Sequence, residues 1–170
     1  MERMSAGRPR TAITWTAVLF LVTFVHHVYG GLRFDSPERI VLAVVFSAVL
    51  AVTYLTYRLG SATRWARATF WFLVYAFWVA AVGLFEGGFN HALFAVLRLL
   101  DAQDLVNDLY PVNGDARISD DLLFQGTGVL TLVAAVVLAV APAWSSSRSS
   151  SVDRLPADRR EDPDHRGGRG

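Results

Sequence analysis

Three of the four histidines in this 170-residue chain lie in two short polar groups, His26-His27 and Glu86-Gly87-Gly88-Phe89-Asn90-His91. Gln125 and Asp121, four positions apart on one helical face, form a third. Imidazole and carboxylate suit zinc, copper, iron or nickel, so His26, His27, Glu86 and His91 are metal-ligand candidates. Asn90 and Gln125 are the neutral polar groups beside them. Histidines from two helices could also hold a haem, with His91 facing His26 or His27. A His–Glu pair could act as acid and base on a quinone or other lipid-like substrate. The competing reading is structural: polar residues bond across helices simply to lock a membrane bundle. No close-spaced ligand motif such as HExxH selects among these readings.

Other chemistries lack their residues. There is no Cys, which removes thiol catalysis, disulfides and iron–sulfur ligation. The acidic stretch after Leu100 lacks the alternating acids, central Gly and terminal Glu of a calcium loop. Gly126-Thr127-Gly128 falls inside an apolar run, so it is no phosphate loop, and no serine nucleophile elbow occurs. No basic tract interleaves with aromatics, so nucleic-acid binding has no support.

The elements that carry the polar groups are apolar. Hydrophobic residues make up 53% of the chain and charged residues 18%, too apolar for an ordinary soluble domain. Four stretches, at about 11–32, 40–57, 68–86 and 122–144, are long enough to span a bilayer core of roughly 30 Å. Each must be helical, because lipid cannot satisfy backbone hydrogen bonds. The fold class expected is therefore all-α, a four-transmembrane-helix bundle. A signal peptide is the weaker reading of the first stretch: its apolar run is long, and His26-His27-Val28-Tyr29 is a poor approach to a cleavage site.

A straight helix from Ala68 to Leu100 would be about 50 Å long at roughly 1.5 Å per residue. The chain is therefore expected to bend at Gly87-Gly88 and to continue as an amphipathic helix at about 89–101 on the outer surface. Phe89, Ala92, Leu93, Val96, Leu97 and Leu100 would form its apolar face. An acidic loop follows, with a turn at Asn113-Gly114, and Ser119 with Asp120 and Asp121 suits the start of the fourth helix.

Helix faces predict that the polar groups converge. Thr16, Thr23 and His26 or His27 form one stripe. Ala76, Ala80, Gly83 and Gly87 form a small-residue stripe leading to Glu86, and Gln125 shares a face with Gly128. Small residues permit close helix approach.

All sixteen basic residues are Arg, which with abundant Ala, Val, Leu and Gly suggests a GC-rich bacterial source. Arg-rich segments at the N terminus, at Arg58–Arg67 and in the tail alternate with acid-balanced ones. The positive-inside rule then puts both termini in the cytoplasm of a bacterial inner-membrane protein and the polar groups at the outer side. Residues 1–144 would form the membrane domain, and 145–170, rich in Ser, Arg, Asp and Gly, a disordered tail. The bilayer is the expected partner, with a membrane protein or a second copy as further options. No internal repeat supports a transporter, and no charged ring marks a channel. The function expected is a small membrane protein with an outward-facing polar site for a metal, haem or lipid-soluble ligand. The alternative is an accessory or assembly subunit in which the cluster only locks helices.

Overall fold

The computed structural model describes residues 7–110 and 121–152, with side chains as far as Trp144. The described residues form five helices and no strands. They are α1 (Gly7–Arg33), α2 (Pro37–Leu59), α3 (Arg64–Leu99), α4 (Gln103–Leu109) and α5 (Leu122–Val152). The first three and the Leu122–Trp144 part of α5 are long and apolar enough to cross a membrane, so this is a multi-pass architecture. The loop signals at Asn113-Gly114, Ser119 and Asp120 lie outside the described residues.

Local sequence explains the helix ends. Asp35 and Asp101 take left-handed backbone after α1 and α3 (φ 53° and 55°), a conformation that Asp tolerates better than most side chains. Pro37 occupies the first turn of α2, where its missing N–H costs nothing. Thr63 caps α3 by accepting the Ala66 N–H at 3.1 Å. Asp121 caps α5 by accepting the Phe124 N–H at 2.9 Å. The helix then runs through Pro142 to Val152, so 145–152, expected in the disordered tail, is helical backbone.

The helices close a ring. α5 packs along both α1 and α3, and α2 packs along α1. α2 meets α3 chiefly through the Arg64–Phe72 segment. At that end the core is apolar: Leu19, Phe46, Phe70, Val74, Trp78, Ala135 and Leu138 are buried together. Within it the Trp78 indole donates across helices to Thr53 Oγ1, 3.1 Å.

α3 departs from expectation at Gly87-Gly88. The helix does not break there; residues Leu73–Leu93 are wound as a π-helix, between α-helical Arg64–Phe72 and Phe94–Leu99. Bonding from i to i+5 puts more residues in each turn, so the helix rises less per residue than the length argument assumed. The winding also resets which side chains face inward. The buried positions are Val74, Trp78, Val82, Gly83, Gly87 and His91, recurring every four or five residues. The small-residue stripe is therefore only half right: Gly83 and Gly87 face α5, while Ala76 and Ala80 are exposed.

The separate surface helix at 89–101 is replaced by the last turns of α3, with α4 folded back on them. Phe94, Leu97, Val106 and Tyr110 form a small second core. Val96 and Leu100, read on the apolar face of a membrane-surface helix, are exposed within the chain. Burial raises the Tyr110 phenol pKa.

Candidate metal centre

The structure brings all six candidate residues to one end of the bundle, the end carrying the α1–α2 and α3–α5 connections. α1 keeps ordinary α-helical period, and its buried stripe reads Ala12, Thr16, Leu19, Thr23, His26, His27, Gly30, Gly31. Both adjacent histidines are inside, 0% and 2% exposed, although helical geometry allowed one to face lipid. His26 turns toward α5 and stacks on Phe124 at 4.2 Å between ring centroids. His27 turns toward α2, edge-on to Phe46 at 5.0 Å. His91, whose direction the sequence left open between bundle and solvent, is also buried, at 4% exposed. It fits because Gly128 has no side chain: a Cβ there would collide with the His91 ring.

Glu86 is the hub. Its Oε1 lies 3.8 Å from His26 Nε2, 3.7 Å from His27 Nε2 and 3.6 Å from His91 Nε2. Asn90 donates Nδ2–H to the other oxygen, Oε2, at 2.7 Å, which leaves Oε1 for the imidazoles. The ligand atoms of His26, Glu86 and His91 all lie within 4.8 Å of one another.

Hydrogen bonds behind the rings engage their Nδ1 atoms. His26 Nδ1 is 3.0 Å from Thr127 Oγ1, and the Thr127 hydroxyl donates to the Leu123 and Phe124 carbonyls at 2.8 and 3.0 Å. With its one proton directed to the backbone, Thr127 accepts from His26 Nδ1–H. His91 Nδ1 is 2.9 Å from Gln125 Oε1, a carbonyl that can only accept. A neutral ring held in this way would turn its Nε2 lone pair toward Glu86 Oε1. The Nε2–Oε1 distances of 3.8 Å for His26 and 3.6 Å for His91 are longer than a good hydrogen bond. The Nε2 of His26 and both nitrogens of His27 are buried without a hydrogen-bond partner. Such atoms are costly to bury unless something satisfies them.

A cation held between these atoms would satisfy them. Ligands on one tetrahedral zinc-like ion, at about 2.0–2.1 Å each, stand ~3.4 Å apart. The 3.6–3.8 Å separations are a few tenths of an ångström wider. A haem does not fit as well. The His26 and His91 rings meet edge to face with centroids 4.6 Å apart, leaving no slot for a porphyrin between them.

Comparison with family models, characterised proteins and solved structures finds no match to this chain.

In front of the cluster lies a cavity of about 240 Å³, lined by residues of four helices. His27, Glu86, Asn90, His91 and Gln125 form its floor with Phe124, and Glu38, Arg39 and Leu42 of α2 form its α2 side. Three of the residues that complete the site, Thr127, Phe124 and Arg39, were not singled out by sequence reasoning. Thr127 and His26 are 101 residues apart, and no spacing rule connects them. Arg39 reads in the sequence as an ordinary flanking charge. A basic residue in the first turn of α2, on the face of Leu42 and Phe46, is the signal that could have marked it.

Proposed function

We propose that this protein binds one divalent transition-metal ion within its membrane bundle. His26 Nε2, His91 Nε2 and Glu86 Oε1 are the core ligands, and His27 Nε2 stands beside them. The observation that carries this reading is the convergence of His26 Nε2, His91 Nε2 and Glu86 Oε1 within 4.8 Å of one another, with each Nδ1 engaged by Thr127 or Gln125. A purely structural lock would place hydrogen bonds where these distances leave gaps. Thr127 and Gln125 act as the outer partners that orient metal-bound histidines.

His27, Glu86 and His91 line the cavity, so a bound ion would keep an exchangeable position toward it, as catalytic sites do and closed structural sites do not. The site is thus suited to presenting a Lewis-acidic ion to a small ligand. The alternation of Arg-rich segments supports placing it at the outer side of the membrane, with the termini and the Arg58–Arg67 connection inside. Reporter fusions at Arg64 and near Gly114 test that orientation: the first should read cytoplasm and the second exterior.

The deciding experiment is elemental analysis of the full-length protein purified in detergent without chelator, followed by zinc or cobalt titration of metal-stripped protein. One ion per chain is expected, abolished in Glu86→Gln. Stoichiometric binding that survives Glu86→Gln, or no binding at all, overturns the reading.

A further inference from the structure

The cavity wall opposite the metal ligands carries a cation without an ion-pair partner. Arg39 lines the cavity, and its Nε is buried with no hydrogen-bond partner. Among the described residues it makes no ion pair. The guanidinium is held in place by packing: it lies over the Phe124 ring, 4.6 Å from the centroid, and Phe124 in turn stacks on His26. Gly30 makes this possible. A Cβ there would fall 2.5 Å from Phe124 Cε2 and 3.2 Å from Arg39 Cδ.

We infer that the cavity between Arg39 and the metal ligands is a binding site for a small phosphate-class oxyanion, which bridges the guanidinium and the ion's open position. The inference rests on the metal reading above. A guanidinium presents planar, forked donors that match phosphate oxygens. About 240 Å³ is below the range of drug-sized pockets, roughly 300–1,000 Å³, and suits one oxyanion or one lipid headgroup phosphate.

Charge makes the two ligands interdependent. Among its formally charged side chains the lining has one Arg, Arg39, and two carboxylates, Glu38 and Glu86. It is net anionic when empty and becomes net cationic once a divalent ion is held. Phosphate binding therefore requires the metal, and phosphate strengthens metal binding by the same factor.

The test uses the full chain in phosphatidylcholine nanodiscs, loaded with cobalt(II), whose visible bands report its coordination. Adding inorganic phosphate should shift those bands saturably. Metal-free protein should bind no phosphate in equilibrium dialysis. Arg39→Gln should keep cobalt affinity within about threefold and weaken phosphate at least roughly tenfold, the scale of a lost charged hydrogen bond. Arg39→Lys, which retains the charge but not the fork, should lose less. If nanodiscs containing phosphatidic acid shift the cobalt bands without added phosphate, the source of the oxyanion is the lipid headgroup; a shift only with free phosphate assigns it to the aqueous side. Cobalt bands indifferent to both, or a phosphate affinity unchanged in Arg39→Gln, overturn the anion site while leaving the metal centre standing. Absence of any cobalt band overturns both.

Discussion

The two ends of the bundle are built from the same helices and treat polar groups in opposite ways. At the Arg64–Phe72 end, Trp78 and Thr53 satisfy each other, and Thr53 also donates to its own Val49 carbonyl at 2.8 Å. The rest of that core is apolar packing, with the unpartnered Thr16 hydroxyl buried beside it. At the other end, three imidazoles surround one carboxylate oxygen at 3.6–3.8 Å, and three of their ring nitrogens are buried without a hydrogen-bond partner. The first end gathers apolar side chains; the second gathers ionisable ones, which on the proposed reading a cation would bridge.

Substitution should separate the two ends. Glu86→Gln is expected to lower metal affinity by more than the roughly 10–100-fold typical of losing an outer hydrogen-bond partner, because it removes a ligand charge. The amide oxygen can still accept from Asn90, so the metal-free bundle should melt close to wild type. Trp78→Ala should do the reverse. It should cost about 3–5 kcal/mol of stability, measured with or without metal, and leave one ion per folded chain. A Trp78→Ala protein that folds normally but loses its metal would mean that the two ends are not separable.

The α3–α5 contact offers a finer comparison, because both ends use glycine there. At Gly83 a Cβ would strike Ala135 Cβ, forcing the helices apart in the apolar half. At Gly128 it would strike the His91 ring. Gly83→Ala should therefore cost stability, about 1–3 kcal/mol as overpacking does, with metal content retained. Gly128→Ala should cost metal affinity by displacing a ligand. Equal losses of metal in the two variants would show that helix spacing, and not His91 placement, controls the site.

These comparisons also explain what was legible beforehand. α1 is regular α-helix, so the Thr16–Thr23–His26 stripe follows from a period of roughly 3.6, and the structure buries all three. α3 is π-wound over Leu73–Leu93, so the same rule mispositions Ala76 and Ala80. Glu86, Asn90 and His91 were still recognised, because they are adjacent in the chain and their type marks them whatever the winding. Arg39 and Thr127 act only through residues distant in sequence, and a residue's type does not reveal such a partner.

Thr127 permits a smaller test. Thr127→Val keeps the shape and removes the acceptor of His26 Nδ1–H. Metal affinity should fall about 10–100-fold, and Thr127→Ser should recover it. Full affinity in the Val variant would show that the His26 tautomer is set by something other than Thr127.

The smallest effect belongs to the rim, where Asp121 ties α1 to α5. Its carboxylate accepts the Phe124 N–H at 2.9 Å and the Tyr29 hydroxyl at 3.0 Å, and pairs with Arg33 Nε at 3.4 Å. These contacts, the Phe124 N–H foremost, hold the Asp121 pKa below its ordinary value of 3.8. A carboxyl depressed in the folded state contributes stability that is fully present above its unfolded pKa. That contribution is lost as pH falls from there through the lower folded value. In metal-free protein, where imidazole–metal linkage cannot intervene, wild type should melt slightly above Asp121→Asn at pH 6. The gap should close only once pH drops below the ordinary carboxylate range. The gap will be small, because solvent screens an ion pair whose Arg33 partner is 57% exposed. Metal affinity at pH 7 should change little in Asp121→Asn, since the amide oxygen can still accept the Phe124 N–H and keep Phe124 stacked on His26. A marked loss of metal in that variant would extend the metal-dependent region of the bundle to its rim and place Asp121, through Phe124, among the residues that position His26.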